Sequence, residues 1–358
     1  MKTGFYTGKK ILITGGTGTI GRALTRRLLA ENPAVIRIFS RDEHKQFEMQ
    51  QELQGYHNIR FLIGDVRDAD RVLRAMEDID YVFHLAAMKH VPFCEYNPFE
   101  AVKTNVIGTQ NVIHAAIAAN VERVLFTSTD KAISPTNTYG ATKLTAERLI
   151  SAAEYHKGPR KTVFCSVRFG NVMGSRGSVI PLFVRQILEE RRVTVTHPEM
   201  LRFMMTTNQA VELILRANEM AFGGEVFVLK MPVVKLGDLV EIIIDEVKRK
   251  YGIKEEIKID MIGLRPGEKM VEELMTADEA EQAIETKDMY ILQPLYVKSR
   301  RVYPEPGGWN SMATRMVEEP LLISRETLRR WMSEANLIEP AIFAGPADHP
   351  HDFKEMIL

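Results

Sequence analysis

The stretch that most narrows what this chain can fold into is residues 9–21, KKILITGGTGTIG, where an apolar run meets a glycine-rich turn and then a helical pattern without a spacer. Each glycine in that order has its own use. Gly15 permits the tight turn, Gly18 lets the backbone approach a pyrophosphate, and Gly21 lets the helix close on the strand. The helix that opens there, across residues 22–30, offers unpaired N–H groups to the same anion, with Thr17, Thr19 and Ile20 between the glycines. The competing reading is a glycine turn that only joins strand to helix.

Short apolar runs then alternate with segments of helical period, which predicts strands at residues 10–14, 35–39, 60–63, 81–85, 124–128 and 163–169. Six such strands with helices between them make an α/β fold, a doubly wound parallel Rossmann sheet. Residues 1–170 are expected to form this dinucleotide-binding domain, with segments near 205–235 returning to it. Residues 171–297 are expected to form mainly a smaller C-terminal substrate-binding lobe. They carry helices near 182–190, 208–220 and 236–251, a VTVT strand and the strand EVFVLKM. The extension 298–358 is expected to be partly flexible, with one serine-capped helix at 324–336.

Composition limits the partners. The 47 basic and 47 acidic residues of the 358 cancel, so no whole-protein field draws in nucleic acid or an anionic membrane. Cys94 and Cys165 lack metal-ligand spacing, and so few thiols fit a reducing compartment. Apolar residues make up 45%, yet no run reaches the ~18 residues of a membrane helix, and the first residues reach a glycine turn before any signal-peptide core. A cytoplasmic protein without a membrane span is expected. His349 and His351 lack the further ligands of a metal site, so no metal is expected.

An NAD enzyme usually ends its second strand on an acid, but here VIRIF runs into Ser40-Arg41-Asp42. The Arg41 guanidinium suits a 2′-phosphate, with a Ser40 hydroxyl and the Lys45 charge beside it, which favours NADP as cofactor. The alternative makes Arg41 a solvated charge and Asp42 the ribose ligand. Asp65, beside Val66 after the third strand, either accepts from the adenine amino group or caps the next helix. Tyr139 and Lys143 stand four apart. On a helix beginning near Tyr139 they share a face, so the ammonium is expected to lower the phenol's pKa and make it an acid–base group.

Taken together, TGGTGTIG, HLAA at 84–87, TST at 127–129 and YGATK at 139–143 resemble the extended short-chain dehydrogenase/reductase family over residues 8 to about 295. The resemblance implies that Ala86, Ala87 and Lys89 adjoin the cofactor and that Thr129 bonds the substrate oxygen. It also implies that Tyr139 moves the hydroxyl proton, that Lys143 holds the nicotinamide ribose, and that Asn105 supports the lysine. The strings SRDEHKQ, AAMKHVPFCEYNP, STDKAISPTNTYGATK and GLRPGEKMVEEL are more closely similar to the UDP-N-acetylglucosamine 4,6-dehydratases, whose Asp-Lys pair is matched by Asp130 and Lys131.

That resemblance implies transient oxidation at C4 and loss of water across C5–C6. Lys131, its pKa lowered by burial and by Lys143, would take the C5 proton, and Asp130 would protonate the leaving hydroxyl. Hydride then returns to C6, giving a UDP-4-keto-6-deoxy-N-acetylhexosamine. Lys89, Asn171, Arg202, Arg265 and Glu268 match substrate-contact positions for a UDP-linked N-acetylhexosamine. A homo-oligomer, paired through long helices at 98–119 and 139–156, is implied too. The alternatives are a 4- or 5-epimerase of the same fold, which needs no acid aimed at C6, and a non-catalytic NADPH-binding regulatory protein.

Overall fold

A computed structural model describes residues 4–294, 301, 303 and 321–339. The segment PEPGGWN and the terminal stretch carrying His349 and His351 lie outside the described residues. Fourteen strands are present among those described: β1 (Lys10–Thr14), β2 (Val35–Ser40), β3 (Ile59–Ile63), β4 (Tyr81–His84), β5 (Arg123–Thr127), β6 (Val163–Arg168), β7 (Asn171–Val172), β8 (Arg192–Val195), β9 (Leu201–Met205), β10 (Val226–Leu229), β11 (Val233–Lys235), β12 (Lys258–Met261), β13 (Ile284–Glu285) and β14 (Met289–Leu292).

Nine of them form one sheet in the order β13-β14-β10-β6-β5-β4-β1-β2-β3. The pairs from β3 across to β10 are parallel, while β14 adds antiparallel to β10 and β13 antiparallel to β14. The six expected strands are therefore contiguous in a larger, mostly parallel sheet, with β3 at one edge and the added strands beyond β6. Strand order reverses between β1 and β4, which opens a crevice at the carboxyl ends of those strands.

Both faces of the sheet are covered, as its near-continuous apolar strands require. On one face the helices Thr19–Leu29 and Thr207–Met220 pack over Ile11, Ile13, Ile36 and Ile38. On the other, Ala69–Met76, Gly108–Ala118 and Thr138–His156 cover Leu12, Val82, Val124 and Phe126. The segment 284–292 lies in this sheet rather than with the second lobe.

The second lobe has its own core. Strands β11-β9-β7 and β12-β8 form two small sheets under the helices Val179–Glu190, Leu236–Tyr251 and Arg325–Glu334, around Phe183, Ile187, Leu239, Ile243, Leu328 and Met332. Ser324 caps the last helix by accepting from the Thr327 N–H at 3.1 Å, as its sequence position predicts. None of the described helices is long and apolar enough to cross a membrane.

The long helix expected across 98–119 is not uniform. It runs as Pro98–Ala101, a π-helical stretch Val102–Ile107, and Gly108–Ala118. Asn105 explains the interruption, because its amide is buried and its Oδ1 accepts from the Met88 N–H at 2.8 Å while its Nδ2 donates to the Met88 carbonyl at 3.0 Å. Widened turns of this kind often mark functional sites.

Candidate functional site

A cleft of about 850 Å³ lies over the carboxyl ends of β1, β2, β4 and β5, walled on the far side by residues 169–178. Its volume is that of a site for a sizeable small molecule. Gly15, Thr17, Gly18, Thr19, Ile20, Gly21, Ser40, Arg41, Asp42, Lys45, Asp65, Val66, Ala86, Ala87 and Lys89 all line it, as do Thr129, Asp130, Lys131, Tyr139, Lys143 and Asn171. Residues far apart in sequence thus meet in one cavity.

At the glycine end the backbone does the shaping. Gly15 adopts φ +70°, and a Cβ there would sit 2.8 Å from the Ala86 nitrogen, so only glycine lets β1 turn beside the chain leaving β4. The helix Thr19–Leu29 begins at Gly18 with no side-chain cap, which leaves its first N–H groups for a ligand anion. These residues fit the pyrophosphate of a dinucleotide.

The end of β2 is more crowded than the sequence suggests. Ser40 Oγ and Thr17 Oγ1 are 2.9 Å apart. Asp42 caps the helix Glu43–Glu52, accepting from the Lys45 N–H at 3.0 Å, and is ion-paired with the Lys45 ammonium. Burial would raise its carboxyl pKa, but the Lys45 contacts outweigh this and hold it below the usual range. Arg41 is more than half exposed, its guanidinium 3.5 Å from Asp65. Asp65 also accepts from the Arg67 N–H at 3.0 Å and its guanidinium at 2.6 Å, while the cap of the next helix is Asp68.

The catalytic end is built from buried charge. Asp130 is fully buried. Its Oδ1 accepts from Thr129 Oγ1 at 2.9 Å, the Lys131 N–H at 2.8 Å and Lys131 Nζ at 3.0 Å, while its Oδ2 has no hydrogen-bond partner. A Cβ at Gly140 would meet the Lys131 carbonyl oxygen at 2.0 Å, so only glycine lets the helix Thr138–His156 start against this turn and place Tyr139 in the cleft. The Thr129 side chain beside the Tyr139 phenol acts to lower its pKa.

Electrostatics here differ from expectation in two ways. Burial pulls the Lys131 ammonium's pKa down, but the carboxylates of Asp130 and Glu272 outweigh it, so its pKa is raised rather than lowered. Tyr139 is not lowered either. Burial pushes its phenol up to about 12, opposed by Thr129 and by the Lys131 charge, with Lys143 not among the main influences. Lys143 itself is brought down to about 7 by burial against a weaker pull from Glu147, and its ammonium lies 3.9 Å from the centre of the Phe126 ring. Asn105 does not bond this lysine. Its amide goes to Met88 and, at 3.0 Å, to Thr142 Oγ1.

The second-lobe positions divide. Asn171 lines the cleft and donates to the Phe203 carbonyl at 3.3 Å. Arg202, Arg265 and Glu268 are not among the residues lining the cavity. Arg202 is spent on backbone, donating to the carbonyls of Lys269 at 2.8 Å and Met270 at 3.2 Å. Arg265 and Glu268 face each other at 3.9 Å.

Two residues that sequence reasoning passed over belong to the site. Arg176 reaches across from the far wall, its guanidinium donating to the Thr17 carbonyl at 2.5 Å and its own carbonyl accepting from Lys89 Nζ at 3.0 Å. Glu272 sits 3.5 Å from Lys131 Nζ. Glu272 lies in GLRPGEKMVEEL, one of the strings that carried the resemblance, while Arg176 had no such signal, and no spacing rule links positions 17 to 176 or 131 to 272.

A family described as "Polysaccharide biosynthesis protein" matches residues 11–294. A Campylobacter jejuni protein named UDP-N-acetylglucosamine 4,6-dehydratase (inverting) is 42% identical over 340 residues, 93% of this chain and 97% of that protein. A Rickettsia conorii protein named UDP-glucose 4-epimerase is also 42% identical, over 80% of this chain and 83% of its own length. Among solved structures, the X-ray structure of Pen from Bacillus thuringiensis is 56% identical, covers 93% of this chain and 99% of its own, and superposes with a TM-score of 0.85. With the glycine turn, the Tyr139–Lys143 helix and the mostly parallel sheet all in place, the chain belongs to the polysaccharide biosynthesis protein family, within the extended short-chain dehydrogenases/reductases.

Proposed function

We propose that the chain is an NADP-dependent UDP-N-acetylglucosamine 4,6-dehydratase, a lyase that releases water from its sugar without net oxidation. The observation that carries this is the buried Asp130–Lys131 pair beside Tyr139, with one Asp130 oxygen free of protein partners in the cavity wall. An epimerase needs no such acid and base. The dehydratase relative also spans more of the chain, 93% against 80% for the epimerase at equal identity.

NADP would lie along the glycine turn, with Arg41, Ser40 and Lys45 at its 2′-phosphate and Asp65 and Val66 by the adenine; it supplies the acceptor and later the donor of the hydride. Tyr139 as phenolate takes the O4 proton. In a buried site that ionisation needs a nearby cation, and the Lys131 ammonium, whose charge opposes the effect of burial on the phenol, is placed to provide it. Once C4 is a ketone the C5 proton is acidic. Lys131 takes it, and Asp130 gives a proton to the departing C6 hydroxyl. Thr129 holds the phenol in place. Asn171 and Lys89 face the sugar, and the nucleotide extends towards Arg265 and Glu268.

The enzyme is proposed to act in the cytoplasm as a homo-oligomer, pairing through the helical segments 98–119 and 139–156, the first of which leaves Phe99 66% exposed. Incubation with UDP-N-acetylglucosamine and catalytic NADP+ tests the activity. A product lighter by one water is expected. A product of unchanged mass favours the second reading, a nucleotide-sugar epimerase, for which the Rickettsia relative speaks.

A further inference from the structure

Lys131 has a second carboxylate neighbour that the chemistry above leaves unused. Glu272 is 5% exposed, with its Oε1 3.5 Å from Lys131 Nζ. Its segment is fixed to the second lobe and to the catalytic turn at once. Arg202 grips the carbonyls of Lys269 and Met270, Val271 bridges Leu201, and Lys269 Nζ donates to the Ile133 carbonyl at 3.0 Å. The groups around the Lys131–Glu272 pair are Asp130 and Tyr139 from the catalytic turn and helix, Arg202 from β9, and Lys269 with its partner Glu273 from the segment itself.

We propose that Glu272 is a positioning residue for the elimination step, holding Lys131 Nζ between two carboxylates and receiving its proton when Lys131 must act as a base. This rests on the dehydratase reading. Two carboxyl groups and one amine buried together do not all ionise independently, and like charges disfavour a second carboxylate. Burial raises the Glu272 carboxyl above its usual range, Lys131 opposes, and Asp130 adds to the rise, which is the direction that favours a proton on Glu272.

In the step, a Lys131 N–H bond breaks and its proton passes to the Glu272 carboxylate. The freed amine takes the C5 proton, the C5–H electron pair becomes the C5–C6 double bond, and the C6–O bond breaks. The hydroxyl leaves as water with the proton that O4 lost in the oxidation, handed from Tyr139 to Asp130 before the elimination, and Lys131 recovers its own proton from Glu272 once it has returned the C5 proton.

The direct test titrates Lys131 in the full chain without substrate, by limiting acetylation across pH and mass spectrometry, with exposed Lys258 as internal standard. In Glu272→Gln the Lys131 midpoint is expected to fall by about one pH unit or more, since an opposing charge at this range shifts a pKa by about 1–3. Glu272→Asp should keep most of the wild-type midpoint. In parallel, kcat for water loss in Glu272→Gln should drop about a hundredfold or more with KM little changed, the lower end of what a proton-transfer group contributes. Should the amide variant not fold, Glu272→Leu carries the same predictions. An unchanged Lys131 midpoint, or an unchanged kcat, overturns the proposal. Failure of the wild-type protein to release water would instead overturn the dehydratase reading, while the substrate-free titration still decides whether Glu272 governs Lys131.

Discussion

The two ends of the cleft are made differently. At the glycine end, residues 15–21, 40–45, 65–66 and 86–89 each follow directly on the carboxyl end of a sheet strand, and the surface they offer is largely backbone and solvated side chains. At the catalytic end, Asp130 and Lys143 are buried and Lys131 and Tyr139 partly so, and the charge on Lys131 is held by its neighbour Asp130 together with Glu272, which comes from the second-lobe segment. Local order in the chain suffices to build a phosphate cradle. A charge cluster needs the second lobe.

If the ends are as distinct as this, changes at one should spare the other. The largest effect is expected from Tyr139→Phe, which removes the hydroxyl proposed to move the O4 proton. Turnover should fall by about 10²–10⁴-fold with dinucleotide binding retained, read by steady-state kinetics and calorimetry. Loss of binding along with turnover would break the separation.

Next is Gly140→Ala. The added methyl collides with the Lys131 carbonyl oxygen, so thermal melting should show a loss of about 1–3 kcal/mol. Activity should suffer more than cofactor affinity, because the clash lies between Lys131 and Tyr139.

At the glycine end, Arg41→Ala should weaken NADP by about tenfold relative to NAD, the worth of a hydrogen bond to a charged group, with little change in kcat. Equal weakening of both cofactors would move the 2′-phosphate contact elsewhere.

The smallest effect is a pH slope. His84 is fully buried between Thr14 Oγ1 at 2.7 Å and Thr109 Oγ1 at 3.0 Å, and burial, with Lys143 nearby, takes its pKa down to about 3. The unfolded chain therefore binds more protons than the folded one between pH 6.5 and about 3, and stability should fall as pH falls through that window. Urea midpoints of the wild type should slope accordingly, and those of His84→Asn should be flatter.

Much of the fold could be read directly. Strand β1 and the helix Leu236–Tyr251 have their expected bounds, because apolar period and glycine punctuation act over a few residues. The last strands beyond β6 were harder, since β14 pairs antiparallel with β10 across a long sequence separation and β13 is only two residues long. The π-helical stretch at Asn105 was invisible because the partner of its amide is Met88, in the loop after β4.

In the site, residue types were legible and their electrostatics were not. The Tyr139–Lys143 spacing suggested a lysine acting on a tyrosine, whereas burial dominates both groups and Lys131 is the cation felt by the phenol. Arg202 looked like a pyrophosphate ligand, but its guanidinium holds the backbone that carries Glu272.

The central claim is that the buried end of the cleft turns a transient oxidation into loss of water. Its most direct test is turnover of UDP-N-acetylglucosamine with NADP+ in deuterated water, comparing wild type with Lys131→Met. The wild type should give a product one water lighter that carries solvent deuterium at C5, while Lys131→Met should form reduced nicotinamide and release no water. A wild-type product of unchanged mass, or a Lys131→Met variant that dehydrates at the wild-type rate, would contradict it.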